Sequence, residues 1–120
     1  MLSQMLAVDR QRAEHYTWGA ECDGWHLVRT ARLSLIEERI PPGRGEVAHH
    51  HRHAQQFFYV LSGEAAFHLD GHTVRVGARQ GVHVPAGVPH RVVSESSGDL
   101  WMVVVSEPPS HGDRVIAETR

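Results

Sequence analysis

The 120-residue sequence has little of three things: cysteine, clustered basic charge and long apolar runs. Cys22 is the only cysteine, so an internal disulfide is impossible, and we expect a reducing, cytoplasmic compartment. Twelve basic residues are balanced by fourteen acidic ones, and no basic run is suited to following phosphates, which argues against a nucleic-acid partner. No apolar run approaches the roughly 20 residues of a membrane span, so no membrane partner is expected.

The pattern of short runs and turns predicts one all-β domain. Hydrophobic residues make up 41% of the chain, enough for a core that needs no disulfide. Short β-prone runs recur between glycine, proline and aspartate turns, and Asp70-Gly71 between two such runs is a strong hairpin signal. Asp9 is placed to cap DRQRAEHY, so we expect a short N-terminal helix or arm before the first strand at Trp25 to Arg29.

Histidine is abundant, with eleven in the chain and four of them between positions 49 and 53. Side chains two apart on a strand share a face, so His49 and His51 can aim at one metal ion while His50 points away. Gln56 opens the next apolar run, and the PAGVPH turn delivers His90. A solvated histidine tract is the plain alternative, but the distant PAGVPH turn favours a metal site.

These segments resemble the two motifs of the cupin family. In the first motif, Gly43, His49, His51 and Gly63 stand at the family positions, and Gln56 stands where the family usually has glutamate. In the second motif, the family's P-x-G-x-x-H pattern is matched by PAGVPH, which ends at His90. Two departures lie in that motif, because Arg79 replaces its first glycine and Ser94 replaces its asparagine.

The resemblance implies a jelly-roll barrel, the cupin double-stranded β-helix, with a metal near one open end. It implies His49, His51, Gln56 and His90 as ligands of one divalent transition metal per chain, and zinc, nickel, manganese, cobalt and iron all suit such a set. A small-molecule ligand or substrate would then bind in the barrel.

The domain division that we expect has three parts within one domain: an N-terminal arm and first strand over 1–30, the barrel over 31–108, and a tail over 109–120. The run Phe57 to Leu61 is apolar at every position, which predicts burial of both its faces. Together with Trp18 and Trp25, this run favours a homodimer.

Several alternatives stay open at the level of sequence. A shifted register would make His51 and His53 the ligand pair, and His83 faces either outward or into the cavity. Glu46, Glu64 and Asp70 all stand beside glycine turns where solvated carboxylates are expected, so no catalytic acid or base is identified.

Three functions fit these motifs. The first is a metal-dependent isomerase, cyclase or lyase that uses Lewis-acid chemistry, which the neutral Gln56 favours because it leaves the ion's full charge on its exchangeable ligands. The second is a cupin dioxygenase. The third is a non-catalytic cupin that binds a small molecule.

Overall fold

The structure, a computed structural model, describes residues 6–116, and within this range it contains eleven β-strands and no α-helix. The all-β prediction is therefore confirmed. The strands are β1 Glu14–Trp18, β2 Cys22–Arg29, β3 Ser34–Ile40, β4 His49–His51, β5 Gln55–Ser62, β6 Ala65–Leu69, β7 His72–Val76, β8 Gly81–Val84, β9 His90–Ser94, β10 Leu100–Glu107 and β11 Arg114–Ile116.

The strands form two antiparallel sheets. The first sheet has the order β1-β2-β3-β10-β5-β8, and the second has the order β11-β4-β9-β6-β7. Along β3 and β10 every second residue is buried, as expected for strands with one face turned to a core. The largest side chains in that core are Phe58, Phe67, Ile40, Leu100 and Met102. The space between the sheets is thus filled by apolar side chains, and it leaves room for a cavity at one end.

The hairpin predicted at Asp70-Gly71 is present between β6 and β7. Asp70 has φ 45° and Gly71 has φ 88°, the left-handed pair that a two-residue hairpin turn requires. The predicted burial of both faces of β5 is only half met within one chain. Phe58 and Val60 face the core, whereas Phe57 is 41% exposed and Leu61 is 44% exposed on the outer face.

Of the short helix or arm expected before the first strand, the helix does not form in the residues that the structure describes. The Asp9 carboxylate accepts hydrogen bonds from the backbone N–H groups of Gln11 and Arg12, but the capped segment is a single turn. β1 begins at Glu14 and pairs with β2 along its whole length, so sheet pairing overrides the local helix signal. The turn is held on the sheet by Arg10, whose guanidinium lies 4.3 Å from the Trp101 ring centroid.

The predicted tail contributes a strand, because β11 pairs with β4. Positions 1–5 of the predicted arm and 117–120 of the predicted tail lie outside the described residues. The described residues contain no helix long and apolar enough to span a membrane. Cys22 is fully buried, and burial, with the charge of Glu38 adding to it, raises the pKa of its thiol to about 11. A buried thiol of raised pKa is chemically inert.

Candidate metal centre

Three histidines from two strands of the second sheet meet at the cavity. His49 and His51 alternate along β4, and the register pairs His49 with His90 at the start of β9. All three are buried, and each offers one ring nitrogen such that these three atoms lie within 4.8 Å of one another. The structure therefore brings together the three histidines that the sequence selected, in an arrangement that could hold a metal ion.

The protonation of two of these rings is set by backbone carbonyls. His49 Nδ1 lies 2.8 Å from the Val47 oxygen, and His90 Nδ1 lies 2.9 Å from the Val88 oxygen. Because a carbonyl oxygen only accepts hydrogen bonds, each Nδ1 carries the proton, and each Nε2 presents a lone pair. His51 Nδ1 is buried without a hydrogen-bond partner among the described residues.

Gln56 presents its amide oxygen to the same place. Its Nε2 donates to Ser106 Oγ at 2.9 Å, and this hydrogen bond orients Oε1 toward His90 Nε2, 3.1 Å away. Both of these facing atoms are acceptors, since the proton of His90 is on Nδ1. Two acceptors in contact repel each other unless a cation lies between or beside them. The donor set consequently fits a bound metal ion, with Gln56 as its oxygen donor.

Burial keeps the cluster neutral. Removal from water lowers the pKa of His49 to about 4 and that of His51 to about 4, and burial also lowers the pKa of His90. Neighbouring hydrogen bonds offset only part of this effect at His49 and His90. His49 and His51 therefore stay unprotonated well below neutral pH, and burial favours the neutral form of His90 as well. Neutral imidazole is the form that binds metals.

The strand that carries His49 and His51 is fixed from two sides. Asp113, just before β11, accepts hydrogen bonds from the backbone N–H groups of Arg52, His53 and Ala54 at 2.9 to 3.2 Å. The PAGVPH turn fixes the other side, because Gly87 N–H donates to the His51 carbonyl at 2.7 Å. The tail and the second motif thus position β4.

The cluster opens on a cavity of about 300 Å³. Its other lining residues are both apolar and polar, and they include Tyr16, Trp18, Ile36, Glu38, Glu46, Phe58, Val104 and His111. This volume is at the small end of the range for ligand pockets, and suits a small organic molecule.

Two carboxyl groups line this cavity. The expectation that Glu46 is solvated is wrong: Glu46 Oε1 accepts a hydrogen bond from Val92 N–H at 3.1 Å, and Oε2 lies 4.0 Å from His49 Nε2. Burial raises the pKa of Glu46 to about 7, although Val92 N–H and Arg114 lower it in part. Glu38 is also buried, and burial together with the charge of Glu46 holds its pKa well above the ordinary value.

Comparison with known proteins identifies the family. A family model for the cupin domain matches residues 36–106. The chain belongs to the cupin family. The motif departures at Gln56, Arg79 and Ser94 are therefore variations within a cupin, and the expected double-stranded β-helix is confirmed.

Two proteins whose names refer to polyketides are similar to this cupin. A stretch of 67 residues, 56% of this chain, is 31% identical to the polyketide synthase CurC of Streptomyces cyaneus. The chain spans 44% of that protein's length. The polyketide cyclase RemF from Streptomyces resistomycificus has a similar fold, with a TM-score of 0.79 and 22% identity over 97% of this chain and 87% of that one.

A third comparison adds a cupin neighbour with a small molecule. A variant of the Streptomyces protein PAC13 with uridine has a TM-score of 0.77 and 17% identity, covering 92% of this chain and 88% of that one. At such identities the two solved structures establish a shared fold.

The other histidines of the cupin lie outside the cluster. His53 is exposed and does not join the three buried rings, so the structure does not favour the shifted register. His83 is exposed and its Nε2 lies 3.0 Å from Gln55 Oε1, which settles its orientation as outward. His68 lies at the β6–β7 hairpin, where its Nδ1 is hydrogen-bonded to Thr73 Oγ1 at 3.0 Å.

Sequence reasoning missed Glu38 as a cavity residue. The signal was present in the strand SLIEERI, where Glu38 falls on the same alternating face as Ile36 and Ile40. A charged residue at an apolar position of a strand is unusual enough to mark a site. The cavity positions of Tyr16 and His111 depend on the pairing of distant segments and have no comparable local signal.

Proposed function

We propose that this cupin is a metal-dependent enzyme acting on a small organic molecule by Lewis-acid chemistry, of the cyclase, isomerase or lyase type. The observation that carries the proposal is the convergence of three buried neutral imidazoles and one amide oxygen at the end of a cavity large enough for a substrate. The sequence similarity to the polyketide synthase CurC and the fold shared with the polyketide cyclase RemF favour the cyclase type among these three.

His49, His51, His90 and Gln56 would hold one divalent transition metal. When bound, such an ion polarises a carbonyl or enol oxygen of the substrate. All four donors are neutral, so the charge on the ion is not reduced by its protein ligands, and this favours polarisation over the support of a higher oxidation state. Ser106 keeps the amide oxygen of Gln56 turned toward the ion.

Glu46 is the residue placed for proton transfer. Its Oε1 is anchored by Val92 N–H, while Oε2 lies on the side of the His49 ring. In an aldol-type cyclisation, a proton leaves a carbon next to one carbonyl, that carbon bonds to a second carbonyl carbon, and the new alkoxide takes up a proton. One carboxyl group can remove the first proton and return it to the alkoxide, so the step needs no redox partner.

Metal content tests the binding part of this proposal. Protein purified without a tag should contain about one divalent transition metal per chain by elemental analysis. The double variant His49→Ala, His90→Ala should lose the metal, whereas His53→Ala, which changes an exposed histidine of the same tract, should keep it. Retention by the double variant together with loss by His53→Ala would show that the ligand set is wrong.

Turnover tests the catalytic part. Metal-free protein reloaded with zinc or Fe(II) should be screened with small poly-β-carbonyl and polyhydroxy compounds in an oxygen electrode, with product analysis. We expect the zinc form to be active without oxygen consumption, and Gln56→Glu to weaken activity while keeping the metal, because it adds a negative charge. Activity of the Fe(II) form alone, with oxygen consumed at each turnover, would replace this proposal by the dioxygenase.

We further propose a homodimer formed through the outer face of β5. Phe57 and Leu61 are exposed there, and Tyr59 lies between them with its ring centroid 6.2 Å from that of Phe57. Covering such surface stabilises association by about 25 cal/mol per Å². Sedimentation of the wild type and of the double variant Phe57→Ser, Leu61→Ser tests this proposal. A monodisperse wild-type monomer at tens of micromolar, an estimate well above typical dimer dissociation constants, would rule out the dimer.

The cytoplasmic location suggested by the single cysteine stays a prediction.

A further inference from the structure

The inner face of the first sheet arranges the cavity in three rows. The row of Gln56 and Ser106 lies at the metal end. The next inward-facing row is apolar and contains Phe58, Val104 and Ile36. One row further, a carboxyl group and a phenol reappear on the inner face, because the register aligns Val60, Met102, Glu38, Gly24 and Tyr16 across five strands. The cavity wall is therefore polar at both ends and apolar in the middle.

No hydrogen bond within the described part of the chain accounts for the burial of the Glu38 carboxyl group in this third row. It is 8% exposed, and its Oε1 is buried without a hydrogen bond among the described residues. Leaving a buried polar atom unpaired is unfavourable, and a carboxyl group could be replaced there by an apolar side chain at no loss of packing. Burial favours the neutral acid, whose O–H donates a hydrogen bond. Glu38 is thus an unused donor on the cavity wall.

Tyr16 is brought toward Glu38 by the glycine between them. A Cβ atom on Gly24 would lie 2.4 Å from Tyr16 Cζ and 2.6 Å from its Oη, so the phenol lies directly over Gly24. Gly24 is the neighbour of Tyr16 on one side and of Glu38 on the other. Any larger residue at position 24 would push the phenol away from this row. The phenol and the carboxyl group consequently line the same part of the cavity.

We propose that the Glu38 carboxyl and Tyr16 hydroxyl groups form a subsite that donates hydrogen bonds to a carbonyl or phenol oxygen of an elongated aromatic ligand. The apolar middle row packs against the body of this ligand, and its other oxygenated end faces the histidine cluster. The placement of the ligand's other end at the histidine cluster rests on the proposed function, whereas the Glu38 and Tyr16 subsite does not. The ligand class is an uncharged aromatic compound with oxygen atoms at both ends.

The test compares two probes of the same shape, 2-acetylnaphthalene and 2-isopropenylnaphthalene, which differ by a carbonyl oxygen in place of a methylene group. Dissociation constants are measured by tryptophan fluorescence, with metal-free and with zinc-loaded protein. We expect both forms of the wild type to bind the ketone roughly tenfold more tightly than the hydrocarbon, the effect of about one hydrogen bond to a buried donor. A ¹³C label on the carbonyl carbon should move downfield on binding.

Four variants assign the preference to the subsite. Glu38→Met and Tyr16→Phe each remove one donor, and Gly24→Ala displaces the phenol without removing a polar group; all three should reduce the ketone preference and the carbonyl shift. Glu38→Gln keeps an N–H donor and should retain most of the preference. Glu38→Met should also raise the melting temperature, since an unpaired buried carboxyl group is removed.

The outcomes separate this subsite from the metal site. A folded Glu38→Met and a folded Tyr16→Phe that both keep the full ketone preference would overturn the subsite, and so would a wild type that binds neither probe or binds them equally. A preference lost only in His49→Ala, His90→Ala would also overturn it, because the metal end would then hold the carbonyl. A wild type that cannot be loaded with zinc but still shows the preference would support the subsite while refuting the proposed function.

Discussion

When no metal is bound, His51→Gln and Glu46→Gln should change the pH dependence of the free energy of unfolding in opposite directions. Burial lowers the pKa of His51 from 6.5 to about 4, so the unfolded chain takes up a proton before the folded chain does as the pH falls. The stability that neutral His51 contributes is therefore present above pH 6.5 and lost as the pH falls toward 4. Burial raises the pKa of Glu46 from 4.5 to about 7, so its contribution is present below pH 4.5 and lost as the pH rises through 7.

The size of each effect follows from proton linkage. As the pH falls from 7 to 5, the contribution of His51 to the free energy of unfolding decreases by roughly 2 kcal/mol. Over the same range the contribution of Glu46 increases by roughly 2 kcal/mol. Because the two effects oppose each other, the wild type alone shows a muted pH dependence. The difference between wild type and variant isolates each group.

The assay is urea unfolding at pH 7, 6 and 5 in the presence of a chelator. Relative to wild type, His51→Gln should gain about 2 kcal/mol of stability on going from pH 7 to pH 5, and Glu46→Gln should lose about as much. His53→Gln, at an exposed histidine two residues from His51, is the matched control and should follow the wild type. If all three variants run parallel to the wild type, neither group is titrating from the buried state described above.

Three further predictions concern residues that hold the site. Ser106→Ala should free the Gln56 amide and weaken zinc binding about tenfold in a chelator competition, while Ser110→Ala, elsewhere on the cavity wall, should leave zinc binding unchanged. Asp113→Ala should lower the free energy of unfolding by about 2 kcal/mol in urea, because three backbone N–H groups of the β4–β5 link lose their acceptor. Gly45→Ala should cost about 1–3 kcal/mol in the same assay, since its Cβ would lie 2.2 Å from the Val92 carbonyl oxygen; a neutral result would mean that the backbone there moves freely.

The histidine cluster was predictable because its geometry is mostly local. Strand alternation places His49 and His51 on one face, and the proline and glycine turn before His90 fixes where that strand begins. Only the pairing of His49 with His90 is a tertiary fact, and the spacing of the two cupin motifs supplied it. The tautomers could not be predicted, since they depend on which backbone carbonyl each Nδ1 meets.

The errors at Asp9 and Glu46 have a common physical origin. In each case a local signal was read as if the segment stood alone. The cap at Asp9 forms as expected, but pairing of the following residues with β2 stabilises a strand in place of a helix. Glu46 does follow a glycine, yet Gly45 bridges Val93 in the sheet, and the neighbouring Val92 N–H draws the carboxylate inward. In both cases pairing with a distant strand overrides the local signal.

The strand that sets the spacing of the cavity's polar groups is β10. It pairs with β3 on one side and β5 on the other, so Ser106 lies beside Gln56 while Met102 lies beside Glu38. A slip of one residue in either pairing would turn one strand's inner face outward and remove Gln56 or Glu38 from the cavity. Because the inner residues of β10 are almost fully buried, such a slip would expose them, and the core opposes it. The core that stabilises the cupin therefore also fixes the distance between the histidine end of the cavity and its carboxyl end.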